Sequence, residues 1–115
     1  MKFSKQTKKS IDKFKTINKA ISSLCLKLDD SYGKKAEKLQ DELELLKKEK
    51  AAIILELSKQ VFEECQNENP IIIDNYSGEE KKFNDVFNKS YSSLDKLDKT
   101  ILANMTIGEG KYRFK

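Results

Sequence analysis

A leucine-rich heptad pattern in the middle of the chain is the feature that most constrains its fold. Apolar side chains recur there at alternating spacings of three and four residues, at Ala36, Leu39, Leu43, Leu46, Ile53 and Leu57. Lys50 occupies the one position of this series that is not apolar. Because the alternation keeps a single apolar stripe facing a neighbouring helix, it predicts long helices with coiled-coil packing.

Turn signals on both sides of this pattern define the first two predicted helices. The first is predicted over residues 4–29 and the second over residues 34–67. Gly33, between them, can adopt the left-handed backbone conformation that ends a helix. Pro70 prevents the second helix from continuing, because proline has no N–H and restricts the residue before it.

A third helix is predicted over residues 78–105. Ser77 and Glu80 form a capping-box pattern at its start, and an apolar stripe from Phe83 to Ile101 follows. Residues 106–115 alternate in polarity and are expected to form a short extended tail. Because short connections favour antiparallel neighbours, we predict a single all-α domain, 1–115. It is an elongated antiparallel three-helix bundle, or a helical hairpin with coiled-coil packing.

The residues that most often carry catalysis are scarce in this sequence. It has no histidine, and its four glycines do not form a phosphate-binding loop. Two cysteines cannot complete a tetrahedral metal site. Cys25 lies roughly 10 Å from the predicted turn along its helix and Cys65 nearly 50 Å along the next, which argues against a disulfide between them. We therefore expect no enzymatic activity, no cofactor, no metal, and two buried thiols.

Charge is unevenly distributed along the chain. Residues 1–27 carry a net charge of +7, residues 28–80 a net of −7, and residues 81–115 a net of +4. The lysine-rich first helix is interpreted as a solvated face that complements the acidic second helix, or alternatively as a phosphate-binding surface. Binding to a membrane surface is the least favoured interpretation, because the apolar stripe of this helix is expected to pack in the bundle. The candidate nucleic-acid-binding residues are Lys8, Lys9, Lys13, Lys15, Lys19 and Arg113. Because Arg113 is the only arginine, such binding is expected to be non-specific and salt-dependent.

Two apolar features outside the heptad stripes are candidates for partner binding. Ile71, Ile72 and Ile73 either close the end of the bundle or form an exposed contact. Tyr112 and Phe114 either pack on the bundle, add a strand to a partner or stack on nucleotides. In an up-down-up bundle the two features lie at opposite ends, roughly 40 Å apart.

These patterns favour a non-enzymatic protein–protein interaction module: an adaptor, inhibitor, assembly factor or chaperone-like binder. The expected partner is another protein, and self-association through residual heptad surface is a further expectation. The alternative is a sequence-independent DNA- or RNA-binding protein. No apolar run approaches the roughly 20 residues of a membrane span, so we predict a cytoplasmic protein. The lysine-rich, arginine-poor composition is typical of AT-rich genomes, including those of some phages and viruses. If the chain is a phage or viral accessory protein, the expected compartment is the host cytoplasm.

Overall fold

Two long helices form an antiparallel hairpin that spans the molecule. The computed structural model describes all residues, Met1–Lys115. Helix α1 covers Lys5–Asp29 and helix α2 covers Gly33–Glu68, so both have the predicted extents to within one residue at each end. The Ser4 hydroxyl caps α1 by accepting the Thr7 N–H at 3.3 Å. The prediction of long helices packed against each other is confirmed.

The predicted third helix does not form, and the chain is not all-α. The region after α2 contains three strands, two short α-helices and a 3-10 turn. These are β1 (Ile71–Asp74), β2 (Glu80–Lys82), α3 (Phe83–Val86), the 3-10 turn (Tyr91–Ser93), α4 (Lys96–Met105) and β3 (Tyr112–Phe114). The prediction of one continuous helix over residues 78–105 is therefore wrong, and a three-helix bundle is not formed. Part of the predicted extended tail is strand β3.

The cause of this difference is a β-hairpin turn at the point where a helix start was predicted. The Asp74 carboxylate accepts the backbone N–H groups of Tyr76 and Ser77, and Gly78 follows with a φ of 76°. The Ser77 hydroxyl accepts the Glu79 N–H within this turn and does not cap a helix. The real helix start lies at Asp95, whose carboxylate accepts the Asp98 N–H at 2.8 Å.

The three strands form an antiparallel sheet in the order β2-β1-β3. In its register, Ile72 lies opposite Lys81 on β2 and opposite Phe114 on β3. The isoleucine cluster and the aromatic tail are therefore neighbours, and the prediction that they occupy opposite ends of the molecule is wrong. The short α4 is not long enough to return the chain to the hairpin turn.

One apolar core lies where the start of α1, the end of α2, the sheet and α4 meet. Its fully buried members include Phe14, Leu57, Phe62, Ile72 and Leu102. Burial of side chains of this size contributes about 1.5–3 kcal/mol each. Beyond this core the hairpin continues as two layers only, in a molecule that measures 50 × 29 × 25 Å.

The two cysteine thiols are unpaired and lie in different environments. Cys65 is buried in the core, where its thiol donates to the Met1 sulfur at 3.5 Å. Cys25 is exposed, contrary to prediction, because no third helix covers that part of α1. None of the helices combines the length and apolar character that a membrane crossing requires.

Candidate protein-binding surface

The register of the sheet divides its side chains between two faces. Residues directly opposite each other in an antiparallel pair point to the same side. Ile72 is therefore on the inner side, together with Phe114 on β3. Ile71 and Ile73 point to the other side, where Ile71 is 41% exposed. The run of three isoleucines thus supplies one core residue, Ile72, one exposed residue, Ile71, and one half-buried residue, Ile73.

The inner face of the sheet is part of the apolar core. Tyr112 is only 6% exposed and packs edge-to-face on Phe87, with ring centroids 6.2 Å apart. Phe114 is half-buried and packs edge-to-face on Phe3 at 5.5 Å. Ile72 and Tyr112 are therefore mainly core residues, with exposed fractions of 0% and 6%.

The opposite side of the sheet presents two isoleucines within a rim of charges. Lys82 lies opposite Ile71, and Arg113 lies opposite Ile73. The Lys115 ammonium forms an ion pair with the Glu80 carboxylate at 2.9 Å. We call this surface the outer face, and it consists of Ile71, Ile73, Glu80, Lys82, Arg113 and Lys115. Its rim carries three cations against one carboxylate, so the outer face is basic overall.

A shallow groove of about 850 Å³ borders the outer face beside β2. Ile71, Val86 and Tyr112 supply its apolar lining, while Lys81 and Asp85 are among its polar residues. The Arg113 guanidinium donates to the Asn75 side-chain oxygen, which holds it against the β1–β2 turn. The pairing of β1 with β2 and β3 fixes the positions of the residues that form the groove and the outer face.

The six predicted nucleic-acid-binding residues do not form one patch. Lys8, Lys15 and Lys19 share one side of α1, since they are spaced by seven and four residues. Lys9 and Lys13 line a different groove, against Glu49 of α2. Arg113 belongs to the outer face of the sheet. All six are exposed.

Two of these lysines converge with a residue that sequence reasoning did not select. Lys15 and Lys19 line a groove of about 470 Å³ together with Lys50 of α2. The Lys50 ammonium lies 5.9 Å from the centroid of the Phe14 ring. Glu109 is the only carboxylate that lines this groove, and none of the three lysines forms an ion pair. The signal in the sequence was the position of Lys50, a charged residue in an otherwise apolar heptad series.

Sequence reasoning also missed the rim residues Glu80, Lys82 and Lys115, because they become neighbours only through strand pairing.

No group of three or more His, Cys, Asp or Glu side chains is placed to hold a metal ion. No family model matches this sequence, and no curated protein or solved structure matches it either.

Proposed function

We propose that this chain is a non-catalytic protein-binding module that docks a partner protein on its outer face. The observation that carries this proposal is the placement of the exposed Ile71 and the half-buried Ile73 on the outer side of a central strand, among charged residues. Apolar centres with polar rims are the common anatomy of protein interfaces. The partner expected from this chemistry has an apolar centre and an acidic rim.

A second copy of the chain is a poorer occupant of the outer face than an acidic partner. A two-fold contact brings the same surface of both copies together. It therefore places the cationic rim, with Lys82, Arg113 and Lys115, against an identical set of charges. Like charges across an interface disfavour association, whereas opposite charges accelerate encounter and select the partner.

The test is a co-purification from native host cells with a matched pair of variants. Ile71→Thr combined with Ile73→Thr keeps β-branched side chains in the strand but removes much of the exposed apolar area. Leu97→Gln on α4 is the control, because Leu97 is 67% exposed but is not part of the outer face. We expect a stoichiometric companion that the double variant loses and the control retains. A companion that both variants retain, or recovery of the chain alone, contradicts docking on the outer face.

The groove lined by Lys15, Lys19 and Lys50 favours a second candidate function, non-specific nucleic-acid binding. Three ammonium groups without ion pairs can contact successive phosphates as point charges. Lys8 extends the same side of α1 by roughly 10 Å beyond Lys15, at 1.5 Å per residue. This candidate function does not depend on the outer face.

Salt-dependent binding to mixed-sequence duplex DNA tests the second candidate. The groove variant replaces Lys15, Lys19 and Lys50 with glutamine, and the control replaces Lys34, Lys35 and Lys38, exposed lysines at the start of α2, in the same way. Each lost phosphate contact flattens the slope of log K against log salt by about 0.9. We expect a flatter slope for the groove variant than for the control. Equal slopes, or no binding at about 50 mM salt, contradict this function.

A further inference from the structure

Strand β2 is an edge strand whose outward backbone groups can be assigned from the ladder. The Asp74 N–H donates to the Glu79 carbonyl at 2.9 Å, and the Phe83 N–H donates to the Pro70 carbonyl at 2.9 Å. In an antiparallel pair, successive residues of a strand direct their N–H and C=O groups alternately toward and away from the partner strand. Residues 79, 81 and 83 therefore bond to β1, and Glu80 and Lys82 point away from it.

Three backbone groups are consequently left at this edge. They are the N–H and C=O of Glu80 and the N–H of Lys82. The Lys82 carbonyl is used elsewhere, because Lys82 is the N-cap of α3 and its carbonyl accepts the first bond of that helix. The other edge of the sheet differs, since α4 packs against β3 and Tyr112 is buried there. The β2 edge is thus the accessible one, and the 850 Å³ groove lies beside it.

We infer that the β2 edge binds an extended segment of the partner by strand addition, an inference that rests on the proposed function. Main-chain hydrogen bonds to Glu80 and Lys82 hold the segment, as in other cases of added strands. Its side chains then lie beside Lys81 and Lys82, while the Glu80 charge is already paired with Lys115. Opposite charges across adjacent strands are favourable, so the segment is acidic, with β-branched residues that suit a strand and an apolar side chain against Val86.

A second copy of β2 is a weaker occupant than such a segment. Antiparallel pairing of two β2 strands about Lys81 places the two Lys81 side chains directly opposite each other, which is destabilising. This pairing would also require each Lys82 carbonyl to accept a hydrogen bond from the other copy, although that carbonyl already accepts a hydrogen bond within α3. A dimer that forms through this edge therefore contradicts the proposed occupant.

Lys82→Pro is the substitution that separates edge binding from other roles of this residue. Lys82 has a φ of −84° and a ψ of 141°, close to the values that proline adopts. Its N–H points away from β1, so proline leaves the existing ladder intact while it removes one donor and places its ring on the edge. Lys82→Ala is the matched control, because it removes the same charge and keeps the N–H.

The probes are peptides selected from a random library of about ten residues on the immobilised full chain, then measured singly by fluorescence anisotropy. We expect selected peptides to combine β-branched and acidic residues. Lys82→Pro should weaken their binding at least about tenfold, and Lys82→Ala less than about threefold. The absence of any enriched peptide, or equal losses in both variants, overturns strand addition.

The same peptides distinguish failure of this inference from failure of the proposed function. Loss of binding in the Ile71→Thr, Ile73→Thr variant without loss in Lys82→Pro supports docking on the outer face and overturns strand addition. Binding insensitive to all variants overturns both. If Lys82→Pro lowers the helical circular dichroism, amide exchange of the native chain decides. Slower exchange at Glu80 and Lys82 upon peptide addition supports strand addition, and unchanged exchange overturns it.

Discussion

At the scale of single residues, the two cysteines show how position in the hairpin sets reactivity. Burial raises the pKa of the Cys65 thiol to about 12, and the nearby Glu64 carboxylate acts in the same direction. The thiolate is the reactive form of cysteine, so Cys65 is protected both by its raised pKa and by its lack of access. Cys25 lies on the exposed surface of α1, where a reagent can reach its thiol.

Thiol titration with an aromatic disulfide reagent at about pH 8 should therefore count one fast thiol in the native protein and two after denaturation. Cys25→Ser should abolish the fast phase, and Cys65→Ser should leave it unchanged. Two thiols that react at the same rate in the native state would show that Cys65 is not buried as described.

Asp74 gives the β1–β2 turn a dependence on pH. Hydrogen bonds from the Tyr76 and Ser77 N–H groups hold the pKa of this carboxyl below its ordinary value of 3.8. A depressed pKa in the folded state adds stability above the unfolded-state pKa, and that stability is lost as pH falls through the folded-state pKa. The turn is thus expected to weaken in acid.

Asp74→Asn tests this dependence, because the amide oxygen can still accept the two N–H groups but carries no charge. In urea unfolding the native protein should be more stable than the variant at pH 7. The difference should shrink as pH falls below about 4, the ordinary range for this carboxyl. A difference that stays constant with pH rules out the carboxylate as its source.

At the scale of elements, the hairpin has two regions of unequal support. Near the sheet, α2 is covered by α1 on one side and by α4 on the other. Near the hairpin turn it is covered by α1 alone. Leu57 belongs to the region with three layers and is fully buried, whereas Leu43 is 5% exposed and lies outside the main core cluster.

Alanine substitutions should reveal this difference. Leu57→Ala should lower the free energy of unfolding by about 2–5 kcal/mol, because the rigid core leaves a cavity. Leu43→Ala should cost less, since a two-layer region collapses more readily around the lost atoms. Denaturant unfolding of both variants measures the difference. Equal losses would mean that the hairpin is supported evenly along its length.

The elements also show what the sequence could predict. Spacings of three and four residues over a long segment specify an amphipathic helix, so α1 and α2 were predicted closely. Phe83 and Phe87 share this spacing because Phe83 begins the four-residue helix α3 and Phe87 follows its last residue, and this short helix misled the prediction of a continuous third helix. Ile71, Ile73 and Arg113 lie on the same side of the sheet, but their adjacency depends on β1–β3 pairing, for which no local signal exists.

At the scale of the whole molecule, the C-terminal strand closes the core. Tyr112 and Phe114 cover Phe87 and Phe3, and β3 supplies one of the two neighbours of β1. Although the long helices are oppositely charged, the one ion pair of the chain is Glu80–Lys115, within the sheet. Apolar contact, more than charge pairing, therefore holds the molecule together.

Deletion of residues 111–115 should therefore lower the free energy of unfolding by about 3 kcal/mol or more, because two large aromatic side chains are lost from the core. Deletion of Lys115 alone is the control and should cost about 1–2 kcal/mol, because it removes one exposed ion pair and the backbone hydrogen bond from the Lys115 N–H to the Ile71 carbonyl. Thermal unfolding followed by circular dichroism measures both. Similar melting temperatures for the two deletions would place β3 outside the cooperative unit.

The contact between Phe3 and Phe114 places the two ends of the sequence next to each other at the core, while the turn between α1 and α2 lies at the far end of the molecule. A short flexible linker that joins these two ends, with new termini opened between Asp30 and Gly33, should give a circular permutant with the same circular dichroism spectrum. In the permutant, the contact between Phe3 and Phe114 joins residues that are close in sequence. The contact between α1 and α2 then joins residues that are far apart in sequence. Because loop closure between distant segments slows folding, the order in which hairpin and sheet assemble should be exchanged.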